Sequence, residues 1–328
     1  MSLRMPTTSG DALILERISK RYATHVAVRE LSLRVPRGSV YGLLGPNGAG
    51  KTTTIRMILN ILAPDEGSIE VLGCTHRDPL LNDRIGYLPE ERGLYRKMRV
   101  RDVLRFLGRI KGMPSRGLDA VIDRWLERFQ LRGHAGTDWS RARVDELSRG
   151  MQQKVQFISA LLHDPELVIL DEPFSGLDPL NAQALKDTVQ ELRQQGRTVI
   201  FSTHVMENAE RMCDAVCIIA RGEKILDGTV SDVRDAHLER IVNIQFGAAP
   251  STTVAALLQD TRLVARLNEA HRQVEIEMAP GGDPQELLAQ LVGAGARIER
   301  FELVRPSLHR IFLEKVGAQV EIGLSGHG

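Results

Sequence analysis

The sequence predicts an α/β domain on a largely parallel sheet, interrupted by a helical insertion and followed by a small α+β domain. Three observations lead there. From Ala12 onward, strand-like and helix-like stretches alternate, as helices packed on parallel strands require. Between Arg101 and Leu162 the strand signal disappears and amphipathic helical spacing replaces it. After about Arg240 the elements run strand, helix, strand, strand, helix, strand. At 328 residues, and with roughly 150 residues per domain, about two domains are expected.

The sheet strands are read at residues 40–44, 167–170, 198–202 and 215–220; the last three are short, apolar and partly β-branched, as strands covered on both faces should be. In the insertion, Val103, Leu104, Leu107 and Ile110 recur at helical spacing. This gives a helical subdomain of about 100–162 within a first domain of 12–235. Beyond it, residues 241–246 alternate as a strand, 253–258 read as a helix, 263–267 and 273–278 as strands, 284–292 as a helix and 297–304 as a last strand. That order is the ferredoxin-like plan, assigned to 239–316. The Gly/Pro stretches at 247–250 and 280–283 are loops inside this module. Its boundary falls between Arg234 and Glu239, and the chain from Gly317 is expected to fray.

Composition excludes several classes. A hydrophobic content of 42% with 26% charged residues belongs to a globular protein, not a disordered or fibrous chain. A net charge of +1 gives no whole-molecule field for nucleic acid or an anionic membrane, so no nucleic-acid partner is expected. Cys74, Cys213 and Cys217 are odd in number and lack a histidine cluster at metal-ligand spacing. They fit reduced core thiols of a cytosolic protein better than a disulfide framework or a zinc site. No apolar run approaches the roughly 18 residues that span a bilayer, and residues 1–11 lack a signal-peptide core. If the protein works at a membrane, another chain must cross it.

Gly45, Pro46, Asn47, Gly48, Ala49, Gly50, Lys51 and Thr52 fit the pattern G-x-x-x-x-G-K-[ST], with a strand before them and a helix from about Gly50 after them. The glycines let successive backbone N–H groups turn inward as an anion nest, and the helix N-terminus adds partial positive charge. Such a loop cradles the phosphates of a nucleoside triphosphate, ATP above all. Lys51 is expected on the β and γ phosphates, the Thr52 hydroxyl on Mg²⁺, and Thr53 beside them in the cradle. The apolar run at 167–170 ends in Asp171 and Glu172, which places two carboxylates at the same sheet edge. Asp171 is the expected Mg²⁺ support, directly or through water; Glu172 is the expected base that orients and deprotonates the attacking water. His204 follows the strand at 198–202 by two residues, so a parallel topology carries it to the same edge, placed to donate to the γ-phosphate. Lys51, Glu172 and His204 form the candidate catalytic group.

Five features stand in fixed chain order: the loop of Gly45 to Thr52, the run Leu147-Ser148-Arg149-Gly150-Met151-Gln152, the Asp171-Glu172 strand end, Ser175-Gly176-Leu177-Asp178, and His204. In this the chain resembles the ATP-binding cassette (ABC) family from Ala12 to near Arg234. The resemblance implies a P-loop NTPase cassette working as a head-to-tail dimer, in which the loop of one subunit holds ATP against the signature run of the other. It places Ser148 and the backbone of Gly150 on the γ-phosphate in trans, at the N-terminus of a helix over 149–162 that stabilises negative charge. Ser148 is also read as the N-cap of that helix. By the same resemblance Asp178 couples the two sites across the dimer, and Tyr22 lays an aromatic ring on the adenine face.

Two departures from the family pattern bear on turnover. Where the family has a glutamine, this sequence has Glu90 in Tyr87-Leu88-Pro89-Glu90-Glu91-Arg92. An ionised carboxylate accepts hydrogen bonds but cannot donate one, and Glu90 is expected to accept from metal-bound water. In the signature run, Arg149 stands for a glycine and Met151 for a glutamine. With these variants, and with a small domain after the cassette, the sequence is similar to ATPase subunits of bacterial ABC-2-type exporters, most of all those of sodium extrusion and multidrug export. This implies an ATPase on the cytoplasmic face of the cell membrane that powers efflux of an ion, sodium among the candidates, or a drug-like cargo through a separate permease. The segment 90–103, with Leu94 and Tyr95, is the expected permease contact. Two other readings stand beside it. The single P-loop without heptads or zinc spacing argues against a soluble cassette ATPase of translation or repair, and Glu172 argues against a regulator without turnover. The C-terminal module shows no nucleophile, metal constellation or phosphate loop, and regulation or dimer stabilisation is assigned to it from its position alone.

Overall fold

In the computed structural model, which describes residues 10–91, 93–134, 136–236, 241–270, 273–304 and 306–315, two long strands come first. β1 (Asp11–Tyr22) and β2 (His25–Pro36) pair antiparallel through the turn Ala23-Thr24. Their register shifts between Leu15 and Ile18 and again before Lys20, beside Arg17 and Glu30, whose φ angles of 45° and 44° are left-handed. The chain continues through β3 (Val40–Leu44), α1 (Lys51–Ile58), β4 (Glu66–Val71), β5 (Cys74–Thr75) and β6 (Ile85–Leu88). Next come α2 (Val100–Ile110), α3 (Leu118–Arg128), β7 (Arg132–His134), β8 (Thr137–Asp138) and α4 (Arg149–Leu161). After these lie β9 (Leu167–Asp171), α5 (Pro179–Gln194), β10 (Thr198–Thr203), α6 (Met206–Met212), β11 (Ala215–Ala220) and β12 (Glu223–Thr229).

Six strands form a sheet in the order β12-β11-β3-β10-β9-β6, with β11, β3, β10, β9 and β6 parallel. Every residue of β3, β9 and β10 is buried, which is why these strands read as continuous apolar runs. A second sheet, β2-β1-β4-β5, shares one core with it through Leu13, Leu15, Ile18, Val28, Tyr41, Ile55, Ile169 and Ile200. The insertion is helical as expected, with one correction: β7 and β8 pair as a small hairpin within it. Strands of three and two residues are too short to show a period.

The chain divides into two compact units, Met1–Gly228 and Thr229–Gly328. The second contains α7 (Val230–Asp235), β13 (Ile241–Phe246), α8 (Thr252–Leu258), β14 (Val264–Ala270), β15 (Gln273–Met278), α9 (Pro284–Gly293), β16 (Ile298–Leu303) and a helical stretch at 308–315. Its sheet runs β14-β15-β13-β16 with all neighbours antiparallel, which is the ferredoxin-like order. Val242, Ile244, Phe246, Val254, Leu258, Leu287 and Leu291 fill its core. Residues 1–9, most of the expected junction near Glu239 and the expected frayed tail from Gly317 lie outside the described residues. Among the described residues no helix is long and apolar enough to cross a membrane. The three cysteines are free, and Cys217 is buried.

Candidate functional site

The parallel register delivers the ends of β3, β10 and β9 side by side: Thr203 lies opposite Leu44, and Ser202 opposite Asp171. Gly45, Asp171, Glu172 and His204 therefore emerge at one edge. Within the loop, Gly45 and Gly50 have φ angles of 151° and 106°. A Cβ on Gly50 would lie 2.4 Å from the Ala27 carbonyl oxygen, and one on Gly45 would lie 2.1 Å from that of Ile219. Glycine at these positions lets β2 and β11 press directly on the loop. Lys51 is only 6% exposed; its Nζ donates to the carbonyls of Gly45 at 2.7 Å and Pro46 at 3.1 Å and lies 3.8 Å from Glu172 Oε1. Burial pushes its pKa down, against the charges of Glu172, Asp171 and Glu90, which favour the ammonium. A pocket of about 270 Å³ opens here, lined by His25, Ala27, the loop from Asn47 to Thr53, Glu90 and Glu172.

Asp171 is 1% exposed. Ser202 donates its hydroxyl to Asp171 Oδ1, whereas Oδ2 is buried without a hydrogen-bond partner. Burial raises the pKa of this carboxyl, and the hydroxyls of Ser202 and Thr52 pull it back. An unpartnered carboxylate oxygen beside a threonine hydroxyl is an all-oxygen donor set, the kind a small hard divalent cation takes, so the residues present fit Mg²⁺. Glu172 has a left-handed backbone, with φ 48°. That conformation is held by its N–H, which donates to the Ser202 carbonyl and hydroxyl, both at 3.2 Å. Its Oε1 accepts from His204 Nδ1 at 2.9 Å. A carboxylate only accepts, so Nδ1 carries the proton; donation through Nε2 to a phosphate then requires the imidazolium.

The other expected residues are placed apart from this pocket. Ser148 caps α4 by accepting from the Met151 N–H at 3.3 Å, as its residue type predicted. Asp178 caps α5, accepting from the Asn181 N–H at 3.0 Å. Gly150 and Asn181 are close, since a Cβ on Gly150 would lie 3.4 Å from Asn181 Nδ2. Ser148, Gly150 and Asp178 do not line the phosphate pocket of their own chain. Tyr22 is 45% exposed and closes the β1–β2 hairpin opposite His25, with the two rings stacked at 5.4 Å. His25 reaches the pocket and Tyr22 does not.

Sequence reasoning missed His25, Ala27 and Ser202. A two-residue turn after Tyr22 would have put His25 on the same hairpin face. Ser202, a lone hydroxyl in a buried strand, could have been asked for its partner. Gln152 and Gln153 are engaged within the chain: the amide of Gln152 donates to the carbonyls of Val144 and Leu147, and that of Gln153 to Pro173.

Residues 28–175 match the family model described as ABC transporter. Residues 228–316 match the model described as ATP-binding protein DrrA1-3-like, C-terminal domain. The ABC transporter ATP-binding protein YhaQ of Bacillus subtilis (strain 168) is 44% identical over 309 residues, covering 94% of this chain and 100% of that protein. The chain belongs to the ABC transporter ATP-binding proteins. As such it is the ATP-binding and ATP-hydrolysing subunit of an ABC transporter. The Nod factor export ATP-binding protein I of Mesorhizobium japonicum is 36% identical to this ABC subunit over 308 residues, 93% of this chain and 86% of that one. Among solved structures, an ATP-binding subunit of an ABC transporter shares 31% identity at a TM-score of 0.62, over 69% of this chain and 92% of that one. A dimeric cassette bound to ADP and Pi is 20% identical, at a TM-score of 0.61 over 66% of this chain and 98% of that one, and shows the shared fold.

Proposed function

We propose that this ABC subunit is the ATPase of a bacterial exporter, acting as a homodimer at the cytoplasmic face of the membrane and driving a separate permease. The convergence of Lys51, Asp171, Glu172 and His204 on one edge of the phosphate loop supports the reading most directly. The phosphates of ATP lie on the loop from Gly45 to Thr53, and Lys51 turns from the Gly45 and Pro46 carbonyls to the β and γ oxygens. Thr52 and Asp171 would hold Mg²⁺, with Glu90 placed to accept from a water on it, and the bound ion would supply charge neutralisation at the phosphates. Glu172 takes the proton of the attacking water, held in place by His204. Ser148 and Gly150 of the second subunit close the site, Asp178 relays between the sites, and Tyr22 stacks on the base.

Relatives named for Nod factor export support the export direction. The cargo class stays an ion or a drug-like molecule. Tyr95, Phe106 and Ile110 are 51%, 40% and 60% exposed, and the Tyr95 ring meets Phe106 edge-on at 5.4 Å. An exposed aromatic patch on the insertion, beside Leu94, supports the permease contact there. We take the first unit as the cassette and the module at 239–316 as an accessory domain serving regulation or dimer stabilisation, with α7 on the side of the second unit. The test is Glu172→Gln: ATP affinity is retained, ATP traps a dimer on size exclusion, and turnover falls by about 10²–10⁴-fold. Unchanged steady-state ATPase would remove Glu172 as the base.

A further inference from the structure

We propose that Gln153 and Gln156 are positioning residues: from one face of α4, their amides hold the backbone beside Glu172 and on both sides of Glu90. One helix thereby sets two of the carboxylates around the phosphate pocket. This rests on the roles given above to Glu90 and Glu172 and concerns how they are held in place.

Residues three apart share a helix face. Gln153 Nε2 donates to the Pro173 carbonyl at 2.8 Å; Gln156 Nε2 donates to the Glu91 carbonyl at 3.1 Å and to the Pro89 carbonyl at 3.4 Å. Pro173 follows Glu172, and Pro89 and Glu91 bracket Glu90. Both segments are bends or turns with no strand or helix ladder of their own at these positions. The position of Gln156 suits an apolar residue: it is 5% exposed, and Val155, Phe157 and Ile158 beside it are fully buried. A polar side chain placed there must satisfy its donors internally, and both carbonyls that flank Glu90 accept from it.

The same helix begins at Ser148 and Gly150. At 1.5 Å per residue, Gln156 lies about 12 Å along the axis from Ser148. A tilt of α4 as Ser148 engages a nucleotide across the dimer therefore shifts the Glu90 and Glu172 segments together.

The test uses Gln156→Leu in the full-length chain, which keeps the bulk and removes the donors. Single-turnover ATP hydrolysis, with enzyme in excess, is expected to slow about 10-fold at saturating ATP, since small misplacements of a reacting group carry losses of this order. The dissociation constant for ATP should move less than about 2-fold, because the phosphate loop is untouched. In a Glu90→Ala background the same substitution should slow the reaction no further. Additive losses in the double variant, or an unchanged rate in Gln156→Leu, would overturn the proposal. A full rate in Glu90→Ala alone would instead remove the role of Glu90 and the proposal with it. Amide exchange of Glu90 and Glu91 gives a second readout: it should quicken in Gln156→Leu, and unchanged exchange would refute the clamp itself.

Discussion

Replacing Ser202 with alanine removes a single buried hydroxyl that bonds both the Asp171 carboxylate and the backbone of Glu172. It donates to Asp171 Oδ1 and accepts from the Glu172 N–H at 3.2 Å, in a residue with no exposure. Asp171 Oδ2 already has no hydrogen-bond partner, so the variant leaves this buried carboxylate with the nearby Thr52 hydroxyl and the charge of Lys51 to favour its ionised form. A hydrogen bond to a charged group contributes roughly 1.5–3 kcal/mol. The Glu172 N–H keeps the Ser202 carbonyl at 3.2 Å and adds little to the loss. A destabilisation of about 2 kcal/mol is expected near neutral pH, which lowers Tm by roughly 4–8 °C for a unit of this size.

The assay is a thermal melt of both proteins over a pH series from about 8 down through the carboxylate range. Burial holds the folded pKa of Asp171 above its ordinary value, so the group's own contribution to stability is present at low pH and lost as pH rises through the folded pKa. The Ser202 hydroxyl opposes that shift by favouring the ionised form, and Ser202→Ala raises the folded pKa further. The gap between wild type and variant is therefore full where Asp171 is ionised in both, and it closes as pH falls and the carboxyl protonates. Equal Tm values at about pH 8, or a gap that does not change with pH, would show that this bond does not hold an ionised Asp171.

Three further outcomes follow from the same geometry. Gly50→Ala places a Cβ 2.4 Å from the Ala27 carbonyl oxygen at φ 106° and should cost about 3 kcal/mol and abolish calorimetric ATP binding. By contrast Gly48→Ala, with φ 78° and nothing within 4 Å, should cost only about 1–2 kcal/mol. His204→Ala removes the donor to Glu172 Oε1; turnover should fall by about 10–100-fold while ATP affinity stays within a few-fold, and an unchanged rate would detach His204 from the base. Because burial raises the pKa of Asp171, acidification protonates it above the usual carboxylate range. The Mg²⁺ concentration for half-maximal ATPase should then rise as pH is lowered toward the folded pKa of Asp171. A flat Mg²⁺ requirement over that fall in pH would speak against Asp171 as a ligand.

The parallel sheet was legible because each of its central strands is an uninterrupted apolar run. With β3, β9 and β10 recognised, the residues that leave their ends follow without further information. In the second unit, Val274, Ile276 and Met278 alternate inward along β15 and could be read as a strand for the same reason. The long hairpin at the start of the chain was not legible. Left-handed residues at Arg17 and Glu30 shift its register and break the alternation that marks an antiparallel strand. With the hairpin went His25, whose approach to the phosphate pocket depends on pairing with Tyr22. Gln153 and Gln156 were hidden differently. An amide on a helix looks like surface until the carbonyl it meets is known, and those carbonyls lie 20 to 67 residues away in the chain.

The left-handed backbone of Glu172 sets two selections against each other. A non-glycine residue at φ 48° carries about 1–2 kcal/mol of strain that glycine would relieve, with asparagine intermediate. A library of this chain sorted only for survival on heating should therefore enrich glycine or asparagine at position 172. The same library sorted for transport should return glutamate. Thermostabilised variants obtained without an activity screen would include ones that have lost their hydrolytic base while still folding and binding nucleotide.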